Sequence, residues 1–219
     1  MFDKWFKRTQ ASEAQSSART DPCRWVVLDT ETTGLNIKRD HVLSIAALAL
    51  HLEPGLQSAR ISLSDTFEAV IRQDAPKNNK DNILIHHIGL DAQGHGREQA
   101  HVLKAFCEWV GDAPLFAYHA DFDRAMLAKS YKACSLPALP GAWVDVQPLA
   151  NWVTRQTHRL GLDECAMRFG LHSIVRHQAA SDTFLTAELL LRLLPQLRLE
   201  ASDFAAIERI AIEHASQSL

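Results

Sequence analysis

The chain contains few cysteines and no long apolar runs. Its four cysteines are widely scattered and form no CxxC pair, which argues against zinc ribbons and disulfide frameworks. Reduced thiols in a cytoplasmic protein are the simplest interpretation. No apolar stretch approaches the length of a membrane span, and the N-terminus lacks the hydrophobic segment of a signal peptide. The sequence therefore predicts a cytoplasmic protein without a membrane span.

An excess of positive charge is also absent. Lys and Arg number 23 against 26 Asp and Glu, so the formal net charge is −3. Proteins that coat nucleic acid with basic side chains usually have a clear basic excess. Any nucleic acid must therefore be held locally or through metal ions. The length of 219 residues suits one compact domain with appendages, and no second catalytic domain is expected.

Strand-like segments come first, and strands then alternate with helical segments. Strands are predicted over 24–30, 41–52, 60–72, 115–118 and 142–146. Helices are predicted near 97–111, after residue 119, and over 147–154, 162–169, 181–194 and 203–215. The helix over 181–194 is expected to stop at Pro195, which has no amide proton. This order indicates an α/β domain with a mixed sheet.

The two ends of the chain differ from its centre. Residues 1–22 are rich in Ser, Ala and Gln in their second half and are predicted to be a mobile arm. The start of this arm, with Phe2, Trp5 and Phe6 beside basic residues, suits a short amphipathic helix that docks on a protein partner or a membrane surface. A frayed end that packs on its own domain explains the pattern equally well. Residues 23–198 are expected to form the main domain, with 199–219 as a C-terminal helix packed on it or appended to it.

Two acids, Asp29 and Glu31, stand at the end of the first apolar strand, in "LDTETTG". Residues two apart on a strand point to the same side, so these carboxylates face one space and repel each other. Hard oxygen ligands suit Mg²⁺ or Mn²⁺. Gly34 permits a tight turn and close backbone approach by a ligand. An ordinary turn with its acids in solvent remains the alternative.

A third acid, Asp123, follows a short apolar strand in "YHADFDRAML" and lies in the first turn of a predicted helix. The helix dipole favours acids there, which is a sufficient structural explanation by itself. Asp121 competes for any functional role and also suits a helix cap.

The segment "HQAASD" contains His177 five residues before Asp182, with Ser181 as a candidate cap at the helix start. A loop histidine can reach the same space as an acid on the first helical turn, as a general base beside a metal must. An ordinary loop histidine is the alternative. His86, His87 and His95 have irregular spacing without a zinc pattern, and are interpreted as surface or substrate-edge residues.

Taken in order, these motifs resemble those of the DnaQ-like 3′-to-5′ exonucleases of the DEDD class, in the subclass with a catalytic histidine (DEDDh). "LDTETTGL" resembles the first exonuclease motif, "HADFDRAML" the second (HNAxFDxxFL) and "HQAASD" the third (HxAxxD). The segments "DVQPLA" and "RLGLDECAMRFGL" resemble the family's linking segments. The likeness covers roughly residues 24–195.

The resemblance implies an RNase H-like fold with three layers and a mixed central sheet between helices, in an exonuclease domain over 23–198. It assigns two divalent cations, Mg²⁺ or Mn²⁺, to four metal ligands and the role of general base to His177. The register of the second motif selects Asp123 rather than Asp121. The metal ligands are Asp29, Glu31, Asp123 and Asp182.

The resemblance also implies a substrate, the 3′ end of single-stranded nucleic acid, with DNA favoured over RNA and nucleoside 5′-monophosphates released. The terminal nucleotide is expected to lie against Thr32, Thr33, Gly34 and Leu35, with His119 and Phe122 nearby. The second motif departs from the family's pattern, because His119 replaces the usual Asn and Tyr118 the usual His.

Three other functions share parts of this pattern. A haloacid-dehalogenase-type phosphatase requires Asp where this chain has Glu31. Oligoribonucleases resemble "DLEMTGL", which fits less well than "DTETTGL". A catalytically weak or inactive nuclease-fold protein that acts as a nucleic-acid-binding scaffold is the remaining alternative. The sequence predicts no oligomeric state.

Overall fold

The computed structural model describes residues 23–74, 88–156, 158–173, 175 and 177–215. The predicted N-terminal arm lies outside these residues, as do His86 and His87.

Five strands form one mixed sheet in the order β3-β2-β1-β4-β5. The central strand β1 (Arg24–Thr32) pairs antiparallel with β2 (Val42–Leu52) and parallel with β4 (Leu115–Ala117). At the edges, β3 (Ala59–Val70) pairs antiparallel with β2, and β5 (Trp143–Asp145) pairs parallel with β4. Because β1, β4 and β5 run in the same direction, their carboxyl ends meet at one edge of the sheet.

Helices cover both faces of the sheet. In the part of the chain that the structure describes they are α1 (Leu90–His95), α2 (Gln99–Val110), α3 (Ala120–Ala133), α4 (Val146–Thr154), α5 (Leu162–Arg168), α6 (Ala179–Leu197) and α7 (Phe204–Ala215), with a 3-10 turn at Pro54–Leu56. Side chains of α2 and α3 join the core on one face, and those of α4, α6 and α7 join it on the other. The predicted three-layer fold with a mixed central sheet is confirmed.

Alternate residues of β1 enter opposite halves of the core. Trp25 and Val27 pack with α4, α6 and α7, whereas Val26 and Leu28 pack with α2 and α3. All four side chains are at most 1% exposed. A strand covered on both faces reads as a continuous apolar run, which explains "WVVL" directly before the acids.

An aromatic group joins β1 to α7. Trp25 stacks on Phe116 of β4, with 4.7 Å between the ring centroids. Phe204 of α7 meets both rings edge-on, at centroid distances of 6.0 and 6.1 Å. Ile207 and Ile210 of α7 are buried in the same core. Helix α7 is therefore packed on the sheet layers, although the predicted domain boundary at residue 198 stays a prediction.

The end of α6 differs from the prediction. The helix does not stop at Pro195 but continues to Leu197. Pro195 is exposed, so the carbonyl that loses its amide partner can bind water instead. Leu193, Leu194 and Leu197 are buried and hold the last turn against the core. Tertiary packing therefore outweighs the local preference of proline. Helix α1 was not predicted, because its six residues are too few to show a helical apolar period.

We expect Pro195→Ala to stabilise the protein by about 1 kcal/mol, since alanine restores a helical hydrogen bond without changing the buried side of α6. Thermal unfolding of the variant should show a higher Tm than the parent. Gln196→Ala, at the adjacent exposed position, is the control and should leave Tm nearly unchanged. A lower Tm for Pro195→Ala would show that the proline ring is needed in this turn.

Candidate active site

Three acids meet at the edge of the sheet where β1 ends. Asp29 and Glu31 project from β1 on the side that α6 covers, and Asp182 lies in the first turn of α6. One carboxylate oxygen of each residue lies within 4.8 Å of one oxygen of both others. Asp182 is buried, and the two strand acids are half-buried. The first and third motifs therefore form one cluster.

Mutual repulsion among these carboxylates is substantial. Two unit charges at such distances repel by at least about 3 kcal/mol at an effective dielectric constant of 20. A divalent cation removes this repulsion and prefers carboxylate oxygens among protein ligands. The oxygen-only donor set therefore suits Mg²⁺ or Mn²⁺ and lacks the sulfur or imidazole typical of zinc.

Asp123 does not join this cluster but lies directly against β1. Its Oδ1 accepts hydrogen bonds from the backbone N–H and the hydroxyl of Thr30, at 3.0 and 2.7 Å. Thr30 stands between Asp29 and Glu31 in β1. Asp123 therefore contacts the residue that is adjacent to both of these acids. Burial raises the pKa of Asp123 to about 7, although the two Thr30 hydrogen bonds act in the opposite direction.

Asp145 connects the ends of β4 and β5. Its Oδ1 accepts hydrogen bonds from the backbone N–H groups of Gln147 and His119, at 2.9 and 3.0 Å. Burial raises the pKa of Asp145, against the effect of these two bonds. His119 stands at the N-cap of α3 with left-handed backbone angles, φ 63° and ψ 48°. Its exposed ring lies 4.9 Å from that of Tyr118.

His177 is exposed on the loop that leads into α6. Its backbone N–H donates to Oδ2 of Asp182 at 3.2 Å, and its φ of 56° lies in the left-handed region. The prediction that Ser181 caps α6 is wrong, because the helix begins at Ala179. The Ser181 hydroxyl instead accepts a bond from the N–H of Val175 at 3.3 Å and so fastens the preceding loop.

The predicted substrate residues fall in two places. Thr32 ends β1 and Thr33 begins the turn after it, and the Thr32 hydroxyl donates to the carbonyl oxygen of Gly34. Leu35, four residues after Glu31 in the chain, is 85% exposed. Phe122 lies in the first turn of α3, where it is half-buried and packs against the core. The substrate and catalytic roles of these residues stay predictions.

Two other features lie apart from the acids. A cavity of about 650 Å³ is lined by side chains including Trp152, Leu199 and Glu200, and by no candidate site residue. His95 forms a surface ion pair with Asp91, at 3.1 Å. Across the described ranges, no helix is long and apolar enough to cross a membrane.

The comparisons with known proteins agree with this geometry. A model of the exonuclease family RNase T matches residues 26–190. The chain belongs to this exonuclease family. Two DNA polymerase III proteins of PolC type, from Staphylococcus epidermidis and Staphylococcus aureus, are each 28% identical over 176 residues. These 176 residues are 80% of the chain but only 12% of either polymerase.

Solved exonuclease structures share the fold. Exonuclease X in complex with 5′ overhanging duplex DNA has 20% identity and a TM-score of 0.62, over 85% of this chain and 99% of that one. The nuclease domain of 3′hExo, a DEDDh family member bound to rAMP, has 17% identity and a TM-score of 0.66, over 82% and 95%. Escherichia coli exonuclease I in complex with a dT13 oligonucleotide has 14% identity and a TM-score of 0.63, over 80% and 41%. The resemblance to DnaQ-like exonucleases is confirmed.

Two residues at this edge of the sheet were not identified from the sequence. Thr30 fixes Asp123, and its position between two acids was the only signal. Asp145 is the penultimate residue of a predicted strand, as Asp29 is, and that shared position could have marked it as part of the same edge.

We expect Asp123→Asn to stabilise the protein in EDTA, and more at pH 8 than at pH 5. Because the folded-state pKa is raised from 3.8 to about 7, the stability that the protonated form provides is lost as pH rises through this window. Asparagine cannot ionise and keeps the oxygen that Thr30 contacts.

The gain should differ by about 1–3 kcal/mol between the two pH values, measured as the free energy of unfolding in urea. Asp112→Asn, at an exposed position before β4, is the control. Equal gains at both pH values would contradict the raised pKa.

Proposed function

We propose that the chain is a metal-dependent 3′-to-5′ exonuclease that removes nucleotides from the 3′ end of single-stranded nucleic acid, with DNA favoured over RNA. The meeting of Asp29, Glu31 and Asp182 in a chain of the exonuclease family carries this proposal. These residues belong to motifs about 150 positions apart in sequence, and the fold brings their carboxylates to one edge of the sheet.

Four carboxylates would hold two divalent cations, Mg²⁺ or Mn²⁺. The cluster of Asp29, Glu31 and Asp182 would supply three of them, and Asp123, which is hydrogen-bonded to Thr30 of β1, would supply the fourth. When bound, such cations activate water and stabilise the charge on the leaving oxygen. Burial raises the pKa of Asp123 to about 7, and a bound cation would favour the ionised form of this carboxyl.

His177 is the proposed general base. An imidazole can accept a proton near neutral pH, and the bond from the His177 N–H to Asp182 keeps this loop beside the acids. Hydrolysis breaks the bond between phosphorus and the 3′ oxygen of the penultimate nucleotide. The water oxygen bonds to phosphorus and its proton goes to His177, while the leaving 3′ oxygen takes a proton from solvent. The products are a nucleoside 5′-monophosphate and a shortened strand.

The substrate proposal rests on the turn after β1. Leu35 offers an exposed apolar surface to a terminal base, and Thr32, Thr33 and Gly34 offer backbone and hydroxyl groups near the sugar. Stacking on unpaired bases suits a chain with a net charge of −3. His119 and Phe122 would border the same nucleotide.

The similar proteins support the preference for DNA. The curated relatives are DNA polymerases, and two of the similar structures contain DNA. We propose a cytoplasmic location, because the structure describes all four cysteines and none of them forms a disulfide. A protein partner at residues 1–22 remains a proposal from sequence.

A nuclease-fold scaffold with weak or no activity is the second candidate. The replacement of the family's usual Asn by His119 favours it. A cleavage assay separates the two functions.

We expect the protein to shorten a 5′-labelled single-stranded oligonucleotide to a ladder in the presence of Mg²⁺ or Mn²⁺, and not in EDTA. Asp29→Asn should lower the rate about 100-fold or more, which corresponds to about 2.7 kcal/mol. Asp112→Asn, with an exposed acid before β4, is the matched control. DNA and RNA strands of the same sequence test the preference. If Asp29→Asn produces the same ladder as the parent, the assigned site is wrong. If the parent produces no ladder, the scaffold function is favoured.

We expect His177→Ala to lower kcat about 100-fold while Mn²⁺ affinity changes little, since the side chain acts on water and not on the cation. Turnover of a short oligonucleotide and calorimetric titration with Mn²⁺ measure the two effects. His172→Ala, with an exposed histidine nearby in the chain, is the control. Undiminished kcat in His177→Ala would exclude the base role.

A further inference from the structure

The loop that carries Leu35, residues 33–41, is built around one carboxylate. Oδ1 of Asp40 accepts a bond from the Thr33 hydroxyl at 3.0 Å, and Oδ2 accepts one from the Asn36 N–H at 2.9 Å. A Cβ atom at Gly34 would lie 2.6 Å from Oδ2, so any side chain at this position would displace the Asp40 carboxylate. Asp40 therefore fixes the backbone on both sides of Leu35.

The second half of the loop is closed by Asn36 and by the strand ends. The side-chain oxygen of Asn36 accepts a bond from the Lys38 N–H at 3.0 Å, and the backbone carbonyl oxygen of Asn36 accepts one from the Asp40 N–H at 2.8 Å. At the base of the loop, the Thr33 N–H donates to the carbonyl oxygen of His41 at 2.9 Å. An ordered turn thus presents an exposed leucine.

Lys129 ties this loop to α3. Its ammonium group donates to the carbonyl oxygens of Asp40 and Lys38, at 2.6 and 3.3 Å. The side chain is half-buried, and the bonds are charge-assisted, so they are stronger than bonds between neutral groups. Asp123 lies on the same helix. One helix therefore carries a proposed metal ligand and the anchor of the loop.

We infer that Asp40 and Lys129 are positioning residues that hold Leu35 in place for the terminal nucleotide. This inference rests on the proposed function, in which Leu35 meets the 3′-terminal base. A loop that is ordered before binding spares the entropy of ordering it on the substrate. The ammonium group of Lys129 donates its hydrogen bonds to two loop carbonyls. Lys129 therefore strengthens substrate binding without contacting the substrate.

The test is Lys129→Met, which keeps side-chain length and helix propensity but removes the charge. The KM for a single-stranded oligonucleotide should rise about tenfold, equivalent to about 1.4 kcal/mol, while kcat changes less than about twofold. Lys129→Arg should restore KM, because a guanidinium can also donate to both carbonyls. Lys132→Met, an exposed lysine on the same helix, is the control. An unchanged KM in Lys129→Met would overturn the inference.

A double-mutant cycle with Leu35→Ala separates positioning from direct contact. If Lys129 acts through Leu35, the KM of the double variant should match that of the weaker-binding single variant. Additive effects would show that Lys129 binds the substrate by itself, for example at a phosphate, and would overturn the inference.

Hydrogen exchange provides a readout that needs no activity. Lys129→Met should lose protection at the amides of Lys38 and Asp40, with α3 and the Tm unchanged. Retained protection would overturn the proposed anchor even if KM rises. If the parent degrades no substrate, the proposed function fails and the role of Leu35 fails with it. The exchange data would then still show whether Lys129 orders the loop.

Discussion

Repulsion among Asp29, Glu31 and Asp182 is the constraint around which this fold is arranged. Three carboxylates within 4.8 Å would separate if their supports were free to move. Two of them stand on β1, whose preceding residues are buried on both faces, and the third stands on α6, whose buried leucines lie along the same core. The apolar layers hold the acids together, and the repulsion between their carboxylates favours the binding of cations.

Each acid is fixed by a different local device. Strand alternation points Asp29 and Glu31 to one side, the first turn of α6 supplies Asp182, and Thr30 fixes Asp123 from the opposite face of β1. The site therefore depends on the relative positions of three elements that are distant in sequence. A disturbance of the sheet or of either helix packing changes the spacing of the carboxylates, even where no acid is replaced.

The fold class was readable in the sequence because it follows from local periodicity and from the order of strands and helices. The meeting of the first and third motifs was predicted only by the resemblance to DnaQ-like exonucleases, since Asp182 stands on a helix and not at the end of a strand. The continuation of α6 through Pro195 was not, since buried leucines override the backbone preference of one exposed residue. The roles of Thr30 and Lys129 were also hidden. Each bonds to a partner about 90 positions away, and no local pattern encodes such a pairing.

The contact of Phe204 with Trp25 bears on how the protein is made. The aromatic group includes residues of β1 and α7, so it cannot be complete until Phe204 has left the ribosome, long after Trp25. Asp182 also emerges late. During synthesis the chain thus carries Asp29 and Glu31 before their partner on α6 has been made, and the acid cluster assembles only after that helix has emerged.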